Sequence, residues 1–361
     1  MRNRKYIWII VAFVCIAVGL FVVGIAFVAA DFHITGFSTV TYEQKLTPIT
    51  EKFDRIVIDG RECEVSVLPI STHHSMPQYQ ELEIDGTTVV SHDSEYLTTD
   101  VYVEDGILYI TRRNEQPWYA FVGVDIGSYG IALMLEDTEF ESLDIKTASG
   151  DVMLWTGLKG NALKVHTTSG DFSAYMQSYD TFEVQSVSGD IQLLNGIADT
   201  IRLNTTSGEI SLGGITILET LQADTMSGDM ELTQVVCCKN STLKTASGDI
   251  ELDSFDANDI RITTASGDVS GSLQAGKQFV CETASGDIKV PADTPNGGVC
   301  TVHTASGDIE LTVDKENPGS DLIPDHCPSF MQFYNQNSSC SSPVQCSKYS
   351  TPRHFPSIKA L

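Results

Sequence analysis

A chain of 361 residues with 42% apolar and 19% charged side chains has the length and composition of a folded protein with a large core. Its 48 Asp and Glu stand against 22 Lys and Arg, a net charge of -26. That balance excludes nucleic acid and anionic lipid as partners of the folded part and leaves cations and basic partners open.

The first predicted element is apolar. Arg2, Arg4 and Lys5 make residues 1–5 a basic flank, and residues 6–30 carry no charge. At about 1.5 Å per residue this stretch crosses a hydrocarbon core of roughly 30 Å as one transmembrane helix. The basic flank keeps the N-terminus cytoplasmic and places the C-terminal domain outside, so a single-pass cell-membrane protein is expected. Val28-Ala29-Ala30 resembles a signal-peptide cleavage site, but the apolar stretch far exceeds the roughly 7–15 residues of a signal peptide, which favours an uncleaved anchor. Val14 ahead of Cys15 is not the small residue that lipid attachment needs. Residues 31–52 read as an extended linker.

Residues 53–140 read as strands that cap a longer array. Phe53, Ile56 and Ile58, followed by Val65 and Val67, alternate as short strands, with Asp59-Gly60 as the joining turn. Val101 and Val103, Asp105-Gly106, then Leu108 and Ile110 read as a hairpin on a D-G turn. Residues 131–135, running on to Phe140 and Leu143, look like a degenerate coil. Such strands cover the open end of a stack and oppose end-to-end polymerisation. His73-His74 lies in a polar stretch and is expected to be solvated.

Residues 141–315 carry the strongest signal, a T-x-S-G-[D/E]-φ-x-φ repeat in which φ is apolar. Its glycines are Gly150, Gly170, Gly189, Gly208, Gly228, Gly248, Gly267, Gly286 and Gly307, in steps of 20, 19, 19, 20, 20, 19, 19 and 21. The acids that follow are Asp151, Asp171, Asp190, Glu209, Asp229, Asp249, Asp268, Asp287 and Asp308. Apolar residues alternate on both sides, as in Ile201, Leu203 and Thr205 before a corner and Ile210 and Leu212 after it. This is strand, turn, strand with one face inward. One further apolar group midway, such as Leu158, Ile197, Phe255 or Leu273, fills another corner. A single coil buries too few aliphatic groups to offset the ordering of its backbone, so the coils must stack. The prediction is all-β: a single-stranded β-helix, or β-solenoid, of about nine to eleven coils after the transmembrane helix. At about 4.8 Å per coil the nine corners span roughly 40 Å.

The corner residues have a structural reading. Glycine would supply positive φ, Ser and Asp would bond nearby N–H groups, and inward threonine hydroxyls would satisfy one another. Stacked carboxylates also look like a calcium ladder. Two charges about 4.8 Å apart repel by only about 1 kcal/mol in water, however, so exposed stacking is tolerable without an ion. No metal, cofactor or catalytic residue is expected. His166 and His303 should face solvent by parity.

The nine cysteines show no disulfide framework. Cys63 has no close sequence partner and Cys237 and Cys238 are adjacent. Aligning Thr283 with Thr304 sets Cys281 beside Val302 and Cys300 beside Phe279, a diagonal of about 7–8 Å between Cα atoms that is too long for an unstrained bridge. Free, buried thiols are expected there. Residues 316–361, rich in Ser, Pro, Asn and Gln and carrying Cys327, Cys340 and Cys346, read as a disordered tail. His326 and His354 match no zinc spacing.

The apolar anchor, the F-x-x-I-x-I opening at residues 53–58, the D-G-x-L-x-I segment at 105–110 and tandem T-x-S-G-D-I units such as residues 245–250 resemble the bacterial putative-adhesin family of β-strand-repeat domains of unknown function, found in LiaG-like envelope proteins. The resemblance covers roughly residues 50–315. It implies a single-stranded β-helix outside the cytoplasmic membrane and transfers no catalytic residue, while the tail departs from the family pattern. The expectation is a non-enzymatic, membrane-anchored envelope protein acting as adhesin, scaffold or stress accessory, with other envelope proteins or a cell-wall polymer as partners. The alternative is a carbohydrate-active β-helix enzyme, which needs long cleft-forming loops that coils of 19 or 20 residues leave little room for.

Overall fold

The computed structural model describes residues 42–75, 79–115 and 130–314. The expected transmembrane helix, with Cys15 in it, and the tail lie outside them. Among the described residues no helix is long and apolar enough to cross a membrane.

The chain forms an all-β solenoid of parallel coils behind an antiparallel cap. Its strands are β1 Glu43–Pro48, β2 Arg55–Arg61, β3 Val65–Pro69, β4 Thr88–Asp93, β5 Leu97–Glu104, β6 Ile107–Asn114, β7 Ile131–Leu135, β8 Glu139–Thr147, β9 Val152–Leu154, β10 Lys159–His166 and β11 Phe172–Tyr175. Then come β12 Ser178–Gln185, β13 Ile191–Asn204, β14 Ile210–Asp224, β15 Met230–Thr233, β16 Val236–Lys244, β17 Ile250–Thr263, β18 Val269–Leu273, β19 Gln278–Glu282, β20 Ile288–Lys289, β21 Val299–His303 and β22 Ile309–Val313.

Alternation decides which side is core. In β12, Phe182 and Val184 are buried while Gln185 is exposed, and the coils inside the rim copy this parity, so one apolar column stacks on the next. Phe172, Phe182 and Phe255 are among the largest side chains fully enclosed. Tyr179 meets Phe182 edge-on at 5.4 Å between ring centroids, a favoured aromatic geometry. A second corner follows six residues after several repeat glycines, where Asn195 (φ 52), Gly214 (φ 66), Gln234 (φ 54) and Ser254 (φ 53) take the left-handed conformation.

The N-terminal end differs from the sequence reading in several ways. Asp59 and Gly60 lie inside β2, and the chain turns instead over residues 61–64, with Arg61 at φ 53 and the Cys63 N–H bonded to the Gly60 carbonyl. The β2–β3 coil is therefore the first in chain order but the second in the stack, with β8 and β9 against one side and the outermost coil, β6 and β7, against the other. Residues 131–135 and Phe140 belong to different coils, on opposite sides of β2–β3. The end is closed by β5 antiparallel to β6 through Asp105 (φ 50) and Gly106 (φ 75), the expected D-G hairpin, and by β4 antiparallel to β7. Part of the expected linker is β1, paired with β4. Arg112, 2% exposed, binds this cap together through Asp93 Oδ1 (3.0 Å), Thr99 Oγ1 (2.7 Å) and the His92 carbonyl. His73, expected to be solvated, is buried in a 3-10 turn at Ile70–Ser75, with Nδ1 2.5 Å from the Ile70 carbonyl.

At the C-terminal end the coils leave sequence order. β21 pairs with β17 on one side and β19 on the other, and β22 lies between β18 and β20. The last coil is thus inserted beneath the one that precedes it in the chain. Edge chemistry explains the choice. Pro291 ends β20 after two residues, and proline has no N–H for a ladder, while Lys289 places a charge on the rim. β22 has neither defect and pairs along all five residues of β18. Residues 283–288 and 304–309 share the sequence TASGDI, yet Ile309 is 0% exposed and Ile288 43%. We expect Ile309→Ala to cost about 2–4 kcal/mol and Ile288→Ala less than about 1 kcal/mol in urea unfolding, and equal or reversed costs would contradict the inserted coil.

Candidate functional site

The nine corners form one continuous column in the order Gly150, Gly170, Gly189, Gly208, Gly228, Gly248, Gly267, Gly307 and Gly286. None of these glycines has a positive φ, contrary to the expectation. Close approach requires them instead. A Cβ on Gly170 would lie 2.0 Å from the Gly150 carbonyl oxygen, and the equivalent distance is 1.8 Å for Gly228, Gly248 and Gly267. Any larger residue would force two coils apart.

The threonine before each glycine fixes this contact. Thr245 Oγ1 accepts the Gly248 N–H at 3.0 Å and donates to the Gly228 carbonyl of the preceding coil at 3.3 Å. The same pair of bonds is made by Thr205, Thr225, Thr264 and Thr304, and Ser186 accepts the Gly189 N–H in the coil that lacks threonine. Hydroxyls therefore satisfy backbone groups and not one another, as buried polar groups must be satisfied somehow. From Ser188 onward the repeat serines turn outward and donate a longer bond to a neighbouring coil, as Ser188 Oγ does to the Thr168 carbonyl at 3.2 Å.

The acids form a ladder of a different kind from a metal site. Oδ1 of Asp151 accepts the N–H of Asp171 at 2.9 Å, Asp171 that of Asp190 at 2.9 Å, and Asp190 that of Glu209 at 2.8 Å. It resumes from Asp229 to Asp249, Asp268, Asp308 and Asp287, each step 2.8 Å. The break falls at Glu209, whose extra methylene carries its carboxylate past the Asp229 N–H. Burial, and then the charges of Asp190, Glu231 and Asp229, raise the Glu209 carboxyl above its ordinary range. Asp199 is raised by burial and by Asp180 and Glu219 in a separate column. Among the described residues no three His, Cys, Asp or Glu side chains gather as a metal site.

The remaining candidates are dispersed. His166 and His303 are half-buried, and His303 Nδ1 lies 3.3 Å from Glu282. Cys281 and Cys300 are free and stand in the expected diagonal register, with burial raising the Cys300 thiol to about 12. Cys63 and Cys237 are also free, whereas Cys238 is disulfide-bonded, which the spacing did not suggest. Sequence reasoning also missed a buried ion pair: Lys277 Nζ is 2.6 Å from Asp256 Oδ1 and donates to the Ala257 carbonyl at 2.6 Å. It sits at the residue where the chain leaves coil order for the rim, and the run of glycine and polar residues there gave no hint of it.

These features define a parallel β-solenoid held by a threonine–glycine–aspartate corner. The family model described as Toastrack DUF4097 matches residues 78–218 and 175–322, and the chain belongs to that family. No curated protein matches it. Among solved structures it is similar to a putative adhesin of Parabacteroides merdae (13% identity, TM-score 0.46, covering 75% of this chain and 96% of that one). It is also similar to a putative lipid binding protein of Parabacteroides distasonis (16%, 0.44, 75% and 97%) and to a putative adhesin of Bacteroides fragilis (14%, 0.40, 75% and 97%).

Two substitutions separate the corner bonds. Thr245→Val, which removes a buried donor and acceptor together, is expected to cost about 1–3 kcal/mol in urea unfolding. Glu209→Asp brings the carboxylate within reach of Asp229 and is expected to add about 0.5–1 kcal/mol at neutral pH. The sign of its pH dependence follows from the raised carboxyl. A folded-state pKa above the unfolded value means that ionised Glu209 opposes folding, and protonation lifts that opposition as pH falls through the raised value. The gain from Glu209→Asp should therefore shrink on acidification in parallel melts.

Proposed function

We propose that this chain is a non-enzymatic envelope protein that displays its solenoid outside the cell membrane as an adhesive or scaffolding surface. Residues 6–30 anchor it, the N-terminus is cytoplasmic, and its partners are envelope proteins or a cell-wall polymer. The observation that carries this reading is the use made of the corner. The threonine hydroxyls and most ladder carboxylates, the groups the sequence places most conspicuously, bond the backbone of an adjoining coil. They hold the rod together and leave its outer columns to make contacts. The short, even coils support the same reading, since a glycosidase-type cleft needs acids on loops that rise above the wall.

Protease added to intact cells is expected to remove the solenoid while cytoplasmic markers survive, and deletion of residues 1–30 to leave the protein inside the cell. Protection of the solenoid in intact cells would overturn the display. Hydrolysis of envelope polysaccharide by the purified chain, abolished by replacing one of its acids, would overturn the non-enzymatic assignment.

A further inference from the structure

Among the described residues the rim coil is covered on one side only, where β19 pairs with β21 and β20 with β22. The Gln278 N–H is donated to the Gly298 carbonyl and the Glu282 carbonyl accepts the Thr304 N–H. Phe279 and Cys281 alternate with these residues and therefore turn their N–H and C=O groups to the open side. Their side chains are half-buried against the core, while Val280 between them faces outward and is 48% exposed. A strap closes part of this edge. Residues 291–294 turn back beside β19, where the Thr294 N–H is donated to the Lys277 carbonyl at 2.9 Å and Asp293 Oδ1 accepts the Phe279 N–H at 2.9 Å. Gly276 makes room for the strap, since a Cβ there would lie 2.1 Å from Thr294 Oγ1. These two bonds reach only as far as the Phe279 N–H and leave the Cys281 end of the edge open.

We propose that β19 docks a second copy of this chain, strand against strand in antiparallel pairing about a twofold axis at Val280, once the strap lifts. The strap itself runs antiparallel to β19, with Thr294 beside Lys277 and Asp293 beside Phe279, and so holds over half of the edge the place that a second β19 takes over all of it. The register is self-complementary. Centred on Val280, it sets Phe279 against Cys281 of the second copy, large against small on the core side, and Gln278 against Glu282 of the second copy, an amide donor against a carboxylate outside. Val280 meets its own counterpart at a non-hydrogen-bonded site, where side chains come closest. Charge opposes the contact little, because residues 276–298 carry two lysines and three acids in a chain of net charge -26. The face is one coil wide, with a side of five residues or about 17 Å, well short of the roughly 800 Å² per partner of a stable complex, so the pairing is weak and reversible.

The docking deepens the display reading and rests on it for its setting. β1, which follows the proposed anchor, lies in the cap at the other end of the stack, so the rim is the end farther from the membrane. Two rods joined rim to rim carry their anchors at opposite ends and link facing membranes.

Sedimentation velocity on the full-length chain, in detergent and reductant, tests the pairing apart from display. Asp293→Ala with Thr294→Pro removes both strap bonds and is expected to dimerise at least ten-fold more tightly than the wild type, whereas Asp293→Asn, which keeps the acceptor, should behave as the wild type. Adding Val280→Lys to the released chain places two like charges side by side at the axis and should return it to monomer. Val280→Cys in the released chain should give a disulfide-linked dimer on treatment with copper phenanthroline, since the Cα atoms of such a pair lie about 4.5 Å apart. Should the released chain fail to fold, as read by urea unfolding, the wild type in phosphatidylcholine vesicles serves instead: its many copies are expected to cluster the vesicles, and Val280→Lys to disperse them. The proposal is overturned if the folded, released chain stays monomeric, if Val280→Lys leaves its dimer intact, or if vesicle clustering is absent or indifferent to Val280. Protease shaving of intact cells decides the display separately. A displayed chain that does not pair overturns only the docking, and a pairing chain that is not displayed overturns only the display.

Discussion

Coil meets coil across a gap that admits no Cβ. From Gly170 onward the glycine of one turn rests against the carbonyl of the glycine stacked before it, and at five of these corners the neighbouring threonine bonds both. Around this spine the strand ladders, the aliphatic columns and the aspartate bonds fall into a common register, because a shift by one residue would turn the core outward and bring a side chain into the gap. Glycine commonly weakens regular structure by leaving the unfolded chain freer. Here its lack of a side chain is what allows two backbones to share a threonine, and the lost entropy is offset by bonds that every coil repeats.

The repeat made the fold legible from sequence, since spacing and parity together leave few alternatives to stacked coils. The reason for glycine was not legible. A left-handed turn and a close backbone contact both demand the same residue, and only coordinates separate Gly208, placed by contact, from Gly214 with its φ of 66. The second corner escaped because Asn195, Gly214, Gln234 and Ser254 share a conformation but no chemistry. His73 escaped because a short turn folds it inward, a local event that composition does not encode.

The two ends solve different problems. The outermost coil at the N-terminal end, β6 and β7, is covered by antiparallel strands and by a buried arginine whose bonds are all internal to the cap, so among the described residues no parallel edge is left there for another chain. The other end keeps a parallel edge but presents its poorest strand there, shortened by Pro291 and charged by Lys289. Between them the outer columns vary freely, because the bonds that hold the coils run through the corner and the core. A surface of this kind can change its ligand without disturbing its frame.

The inserted coil also sets the order of assembly. A solenoid whose neighbours in space are neighbours in sequence can grow as the chain emerges, each new turn covering the last. In this one, residues 278–290 have no finished surface to rest on until residues 299–313 have passed beneath them, and until then the apolar floor formed by Ile260, Ile262 and Val269 stays open. The final strand of the solenoid therefore acts as its keystone: the rod closes only when its far end has been made.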